Sequence, residues 1–251
     1  MMSVKVIARK RSKEIAEIIL NRTAKRNAID FDSMKLLSNY LGEFKEDKAI
    51  TMLLIRGEGD VFCGGGDLSS FHNLYTEEEA LSMLKPMSDV LKAIAVFPAM
   101  TLTYLNGTAV GGGAELASAT DYRFAGEAGE IGYIQGNLHI TTGWGGGALL
   151  KKRVGYETAM RMLGTGTRYT MAEAHKLGYV NKIVNGLEEI DEWAAKWLDP
   201  VIIRQYKRLL LSEEERGSLF SSIDKEVKAC AKLWAKKEHH DAVQSFLNRQ
   251  K

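Results

Sequence analysis

The chain has 251 residues, 45% of them hydrophobic and 26% charged, enough to bury a full core and too apolar for a disordered tail. Its 34 basic against 32 acidic residues leave a net charge of +2, which excludes the broad positive field of a nucleic-acid binder. Two cysteines, Cys63 and Cys230, lie far apart outside any CxxC or Cys/His pattern, so no disulfide framework or metal site is expected and a reducing, cytoplasmic compartment is the natural reading.

The N-terminus lacks the basic, apolar and small-residue order of a signal peptide, and no apolar run approaches the roughly 20 residues of a membrane span. Residues 4–8 and 14–20 read as two strands about a charged turn, and 31–44 place Met34, Leu37, Leu41 and Phe44 at helical spacing. An apolar strand follows at 51–55, then a helix over 77–96 with Leu84, Leu91 and Ile94 on one side, closed by Pro98 before a strand at 100–105. Strands at 122–125 and near 131–133 end the alternation, and the remainder is mostly helical. This is the rhythm of an α/β core over 1–184 with a helical region over 185–251. A late amphipathic stretch through Leu219, Ile223, Val227, Cys230 and Trp234 offers more apolar face than a short tail buries on its own core, which predicts self-assembly.

Three glycine clusters carry the chemistry: VFCGGGDL (61–68), NGTAVGGGAEL (106–116) and TGWGGGALL (142–150), each expected where a strand gives way to a helix. Glycine lets the backbone approach a ligand, and N–H groups at a helix start are unpaired and point outward. Two such groups converging on one point hold an oxyanion. Taken singly, each cluster reads as a tight turn. Neither a GxGxxG after the first strand nor a GK[ST] loop is present.

Taken in order, FCGGGDL (62–68) and NGTAVGGGAEL (106–116) resemble the two oxyanion segments of the enoyl-CoA hydratase/isomerase (crotonase) superfamily, and LNRTAKRNA (20–28), DYRFAG (121–126) and AEAHKLGYVNKIV (172–184) extend the resemblance over nearly the whole chain. The resemblance implies a spiral of β-β-α turns with a C-terminal helical trimerisation region, assembled as a homotrimer or dimer of trimers. It implies an acyl-CoA thioester as substrate, coenzyme A entering with it and no separate cofactor. The backbone N–H groups of Gly66 and Gly112 would form the oxyanion hole, with Gly64, Gly65, Asp67 and Leu68 around the first. Lys25, Arg26 and Ala28 fall on the segment near the nucleotide, the two cations reading equally as solvated surface charge. Phe246 and Arg249, with Lys251, match a terminal helix that covers the coenzyme of a neighbouring subunit, although this basic pair reads equally as solvated.

The sequence departs from the hydratase pattern at one point. Hydratases of this family carry two glutamates; the first is Glu115, also readable as a dipole-complementing carboxylate, and the second falls on Gln135. An amide does not exchange a proton as a carboxylate does, and Glu127 and Glu130, expected in a surface turn, are out of register. His139 reads as an acid in the acyl pocket or as a satisfied structural histidine, Trp144 as a pocket wall or plain packing, and Cys63 as a small core residue. The missing glutamate leans toward the ethylmalonyl- and methylmalonyl-CoA decarboxylases. A hydratase or isomerase using Glu115, and a non-catalytic acyl-CoA-binding protein, stay open beside it.

Overall fold

Three times along the chain a long strand, a short strand and a helix follow one another. The structure, a computed structural model, describes residues 4–248. Ahead of the first turn come β1 (Val6–Lys10), β2 (Ile15–Leu20) and α1 (Phe31–Glu46). The turns are β3 (Met52–Gly57), β4 (Val61–Cys63), α2 (Leu68–Phe71) and α3 (Glu77–Ala95); then β5 (Met100–Leu105), β6 (Thr108–Val110) and α4 (Gly112–Ala119); then β7 (Tyr122–Ala125), β8 (Glu130–Gly132) and α5 (Gly146–Thr165). After them come β9 (Arg168–Thr170), α6 (Met171–Lys176), β10 (Lys182–Ile183), and the helices α7 (Leu187–Ala194), α8 (Pro200–Leu210), α9 (Glu213–Trp234) and α10 (Lys237–Asn248).

The long strands join a six-stranded sheet ordered β1-β2-β3-β5-β7-β10, and the short ones a four-stranded sheet ordered β4-β6-β8-β9. Within them β2-β3-β5-β7 and β4-β6-β8 run parallel, so every turn advances the same way and the chain winds as a spiral. Parallel strands are covered on both faces and therefore read as continuous apolar runs. In β3, Leu53 and Ile55 enter the main core under α1, α3, α4 and α9, while Met52 and Leu54 face a second core closed by Ile190 of α7 and Ile203 of α8. Glu17 is tolerated inside the fully buried β2 because Arg9 and Arg56 bond its two oxygens at 2.6 and 2.8 Å.

Two expectations need correction. Glu130 opens β8 and stands 3.6 Å from Arg168, because the strand near 131–133 begins earlier than its apolar residues suggest. The apolar face of α9 does not seek a partner chain, since Leu219, Ile223, Val227, Cys230 and Trp234 are all buried in their own core. Exposed apolar surface lies instead on α8, at Val201, Tyr206, Leu209 and Leu210, and on α5, at Tyr156 and Met160. Among the described residues no helix is long and apolar enough to cross a membrane.

Candidate active site

Because β4 and β6 lie side by side in parallel, the loops leaving their C-terminal ends meet. Ile29 N–H donates to Gly65 O and Asp67 N–H to Ile29 O, both at 2.8 Å. These bonds flank Gly66, so its own N–H turns away and finds no acceptor among the described residues. Gly112 is the first residue of α4, where an N–H has no helical acceptor, and it too donates to nothing among the described residues. The two loops touch: a Cβ on Gly65, whose φ is +98°, would stand 3.2 Å from Gly112 N. A Cβ on Gly112 would lie 2.1 Å from the Trp144 ring, so only glycine fits there. Cys63 behind the loop is buried, its thiol pushed up to about 12 by that burial, as befits a core residue.

Glu115 lies three residues after Gly112 on α4, nearly one helical turn along, and is buried at 3% exposure. Its Oε1 accepts from Gln135 Nε2 at 2.8 Å and from Gly143 N–H at 3.3 Å, and its Oε2 from Trp144 N–H at 2.8 Å and Gly146 N–H at 2.9 Å. The carboxylate thus serves the N-terminus of α5 rather than that of its own helix. This corrects the reading of the third glycine cluster: residues 133–141 separate it from β8, and its N–H groups hold a carboxylate of the protein. Burial first, and the charge of Glu226 second, push Glu115 up to about 7 against the pull of the Gly146, Trp144 and Gly143 donors.

Glu226 was not singled out by sequence reasoning. From α9 it accepts from Gly147 N–H at 3.1 Å and Ala148 N–H at 2.9 Å, so two carboxylates share one helix N-terminus, and burial raises this one as well. The available signal was its position three residues after Ile223 and next to Val227, on the flank of an apolar helix face. Gln135 opens a 3-10 turn over Gln135–Leu138 and is 9% exposed. With Nε2 given to Glu115, its Oε1 is buried with no hydrogen-bond partner among the described residues.

Gly66, Glu115, Gln135, Gly143 and Trp144 line one cavity of about 960 Å³. Gly64, Gly65, Gly66 and Leu68 form one wall, Gly111 lies beside them, and Gly112 sits directly behind under the buried Trp144, which lines the cavity and packs at once. Lys25 and Arg26 line it as exposed residues, with half-buried Ala28 beside them. Asp67 borders it, yet its carboxylate is committed to Ser69 and to Arg22 at 2.8 Å; burial raises it, and these partners hold it below the usual carboxylate range. His139 is exposed on the cavity, at φ +57°, and its ring makes no hydrogen bond among the described residues. The buried histidine among the described residues is His239, whose Nδ1 lies 2.8 Å from Leu138 O and whose ring stands tilted at 4.5 Å from that of Trp234. That contact docks α10 against the Gln135 turn, and Phe246 of α10 lines the cavity of its own chain. Arg249 and Lys251 lie outside the described residues. Asn27, also unforeseen, donates to Glu58 O and Val61 O at 2.9 and 2.7 Å, fastening the 22–27 segment to β4. Among the described residues no group of three or more His, Cys, Asp or Glu is placed to hold a metal ion.

The family model described as Enoyl-CoA hydratase/isomerase matches residues 10–251. The human "Enoyl-CoA hydratase domain-containing protein 2, mitochondrial" is 36% identical over 178 residues, 70% of this chain and 61% of that protein, so the chain spans less than two thirds of that relative's length. The "Ethylmalonyl-CoA decarboxylase" of Xenopus tropicalis is 29% identical over 210 residues, 80% of this chain and 70% of the relative. In fold, the crystal structure of an enoyl-CoA hydratase from Bacillus halodurans superposes with a TM-score of 0.88 at 20% identity, covering 96% of this chain and 100% of that one. With the spiral, the paired glycine loops and a family match over nearly its full length, the chain belongs to the enoyl-CoA hydratase/isomerase family and has the crotonase fold.

Proposed function

We propose that the chain decarboxylates a short alkylmalonyl-CoA thioester through an enolate. In this reading the thioester oxygen is held by the N–H groups of Gly66 and Gly112. The bond from Cα to the carboxylate breaks, its electron pair moves into the enolate, carbon dioxide leaves, and Glu115 delivers one proton to Cα before being reprotonated from solvent. No base is needed for enolate formation, and the backbone donors stabilise charge on an oxygen that cannot titrate them. Lys25 and Arg26 meet the phosphates of coenzyme A, and Trp144 and Phe246 bound the acyl end.

The observation that carries this reading is the Gln135 amide, bonded to Glu115 at 2.8 Å, where a two-glutamate hydratase has its second carboxylate. The site holds one exchangeable proton rather than two. A second carboxylate would also oppose a substrate carboxylate, by about 4 kcal/mol for unit charges 4 Å apart at an effective dielectric of 20. A single observation favours a second reading, double-bond isomerisation: a carboxyl brought to about 7 can take a proton and return it.

Incubating the purified chain with ethylmalonyl-, methylmalonyl-, 3-enoyl- and crotonyl-CoA, with products resolved by mass spectrometry, tests the choice. Loss of carbon dioxide from the malonyl-type thioesters is expected. Rapid hydration of crotonyl-CoA would overturn the proposal.

A further inference from the structure

We propose that the cavity between α8 and the N-terminal ends of β5 and β7 is a second binding site, for a medium-chain alkyl carboxylate whose head meets Lys152, Arg153 and Lys207 and whose tail lies along α8. This cavity has a volume of about 470 Å³, within the range of small-ligand pockets, and it shares no lining residue with the candidate active site.

Three cations and one carboxylate, Asp121, line it. Asp121 Oδ2 already accepts from Thr101 N–H at 2.9 Å, from the Thr101 hydroxyl at 3.0 Å and from Lys207 Nζ at 2.5 Å. Arg153 comes only within 3.9 Å of Asp121 and is held in place by Ser118 O and Ala119 O at 3.2 and 3.3 Å. Lys152 is exposed and makes no hydrogen bond or ion pair among the described residues. Glu215, the other carboxylate that acts on Lys152, is committed to Ser212 N–H in the cap of α9. Burial first, and the charge of Arg153 second, lower Lys152, and burial lowers Arg153 as well. Three cations against one carboxylate leave positive charge unmatched, with the Arg153 and Lys207 side chains only 16% and 18% exposed, and a bound anion relieves the repulsion among them.

The other walls are apolar. Ile203, Tyr206 and Leu210 follow at helical spacing along one side of α8 and line the cavity together with Met100, Tyr122 and Trp197. Ile203 is the one buried residue of α8, so the rest of this side of the helix leaves the space unfilled. Tyr206 and Leu210 line the cavity while 54% and 77% exposed, which places its mouth along α8. A neutral apolar ligand would leave the cations unmatched, and a small inorganic anion would leave these walls wet. One alkyl chain with a carboxylate head satisfies both.

Calorimetric titration of the full chain with octanoate, octanamide and acetate provides the test. Octanoate is expected to bind at least tenfold more tightly than octanamide, which lacks the charge, and than acetate, which lacks the tail, and to weaken with added salt. Lys152→Glu reverses a head charge at an exposed residue, and Leu210→Asp sets an anion at the mouth; each should weaken octanoate at least tenfold without disturbing the core. Arg26→Glu, in the candidate active site, should leave octanoate binding unchanged. Equal affinity for octanoate and either control ligand, or unchanged affinity in either folded cavity variant, overturns the proposal. Weakening by Arg26→Glu moves the site to the other cavity and overturns it as well. Absence of octanoate binding at millimolar concentration overturns it too, and if Leu210→Asp then disperses an assembled chain, this side of α8 belongs to a second copy.

Discussion

Gly112→Ala is the sharpest perturbation of the glycine loops. The added Cβ would lie 2.1, 2.3 and 2.8 Å from Cζ3, Cη2 and Cε3 of Trp144. Carbon atoms rest about 3.5–4 Å apart, so helix and ring must separate by roughly 1.5 Å. Trp144 cannot yield freely: it is 4% exposed, its N–H is bonded to Glu115 at 2.8 Å, and its ring backs Gly66. The start of α4 moves instead and carries the Gly112 N–H away from the Gly66 N–H. The expected cost is about 1–3 kcal/mol of stability from overpacking. Turnover falls further, by about 10²–10³, the effect of losing one oxyanion donor. Carbon dioxide release from ethylmalonyl-CoA at saturation, read beside a thermal melt, separates the two effects. Adding Trp144→Ala returns the space and should recover at least tenfold over the single variant, about 1.4 kcal/mol of barrier. A folded Gly112→Ala protein turning over within a few-fold of wild type would refute the use of this N–H.

Gln135→Glu places two carboxyl groups across a 2.8 Å contact where they must share a proton, and it should raise crotonyl-CoA hydration at least tenfold, about 1.4 kcal/mol; an unchanged rate in a folded variant counts against the pocket geometry. Glu115 stands at about 7, so as a proton donor it gives activity that falls as pH rises through that value, and as a base it gives activity that rises there; the sign of the limb separates decarboxylase from isomerase. Glu226→Gln removes a like charge and should move this midpoint to lower pH in either case, and an unmoved midpoint would deny the coupling. The apolar residues of α8, with Leu209 and Leu210 at 73% and 77% exposure, predict a trimer or hexamer by light scattering, and only monomer at micromolar concentration would contradict it.

How much of this was legible depended on what each residue must do. Gly66, Gly112 and Glu115 stood out because backbone that meets a ligand, or a ring only 2.1 Å from a would-be Cβ, tolerates no other residue type, and such intolerance leaves a motif. The long strands were legible for a similar reason, since strands covered on both faces must be apolar throughout, whereas the three-residue strands β4, β6 and β9 are too short to show a pattern. Glu226 and His239 left little trace. Each lies on a helix whose pattern is satisfied by its apolar positions, and its partner, a backbone group 79 or 101 residues away, appears only when α9 and α10 have docked. The apolar face of α9 misled in the opposite direction. Amphipathic spacing says that a face will be covered, not by what, and the assembly argument therefore attached to α9, whose face the chain buries itself.

The arrangement around Glu115 also restricts how it can act. A carboxylate has about four lone-pair sites, and here four donors occupy them: Gly143, Trp144 and Gly146 from the backbone, and Gln135 from a side chain. The three backbone donors belong to the start of α5, which Glu226 braces from the other side, so they cannot retreat without unwinding the helix end. Only the Gln135 amide can let go by rotating a single bond. In the proposed reaction Glu115 would exchange a proton with the substrate through the site that Gln135 now fills, which would make position 135 decisive whether or not its residue titrates. A glutamate there would store a second proton beside Glu115 and suit the handling of water. A glutamine can only release and re-form one hydrogen bond, and that suits a reaction in which the bond to carbon dioxide breaks first and a single proton follows.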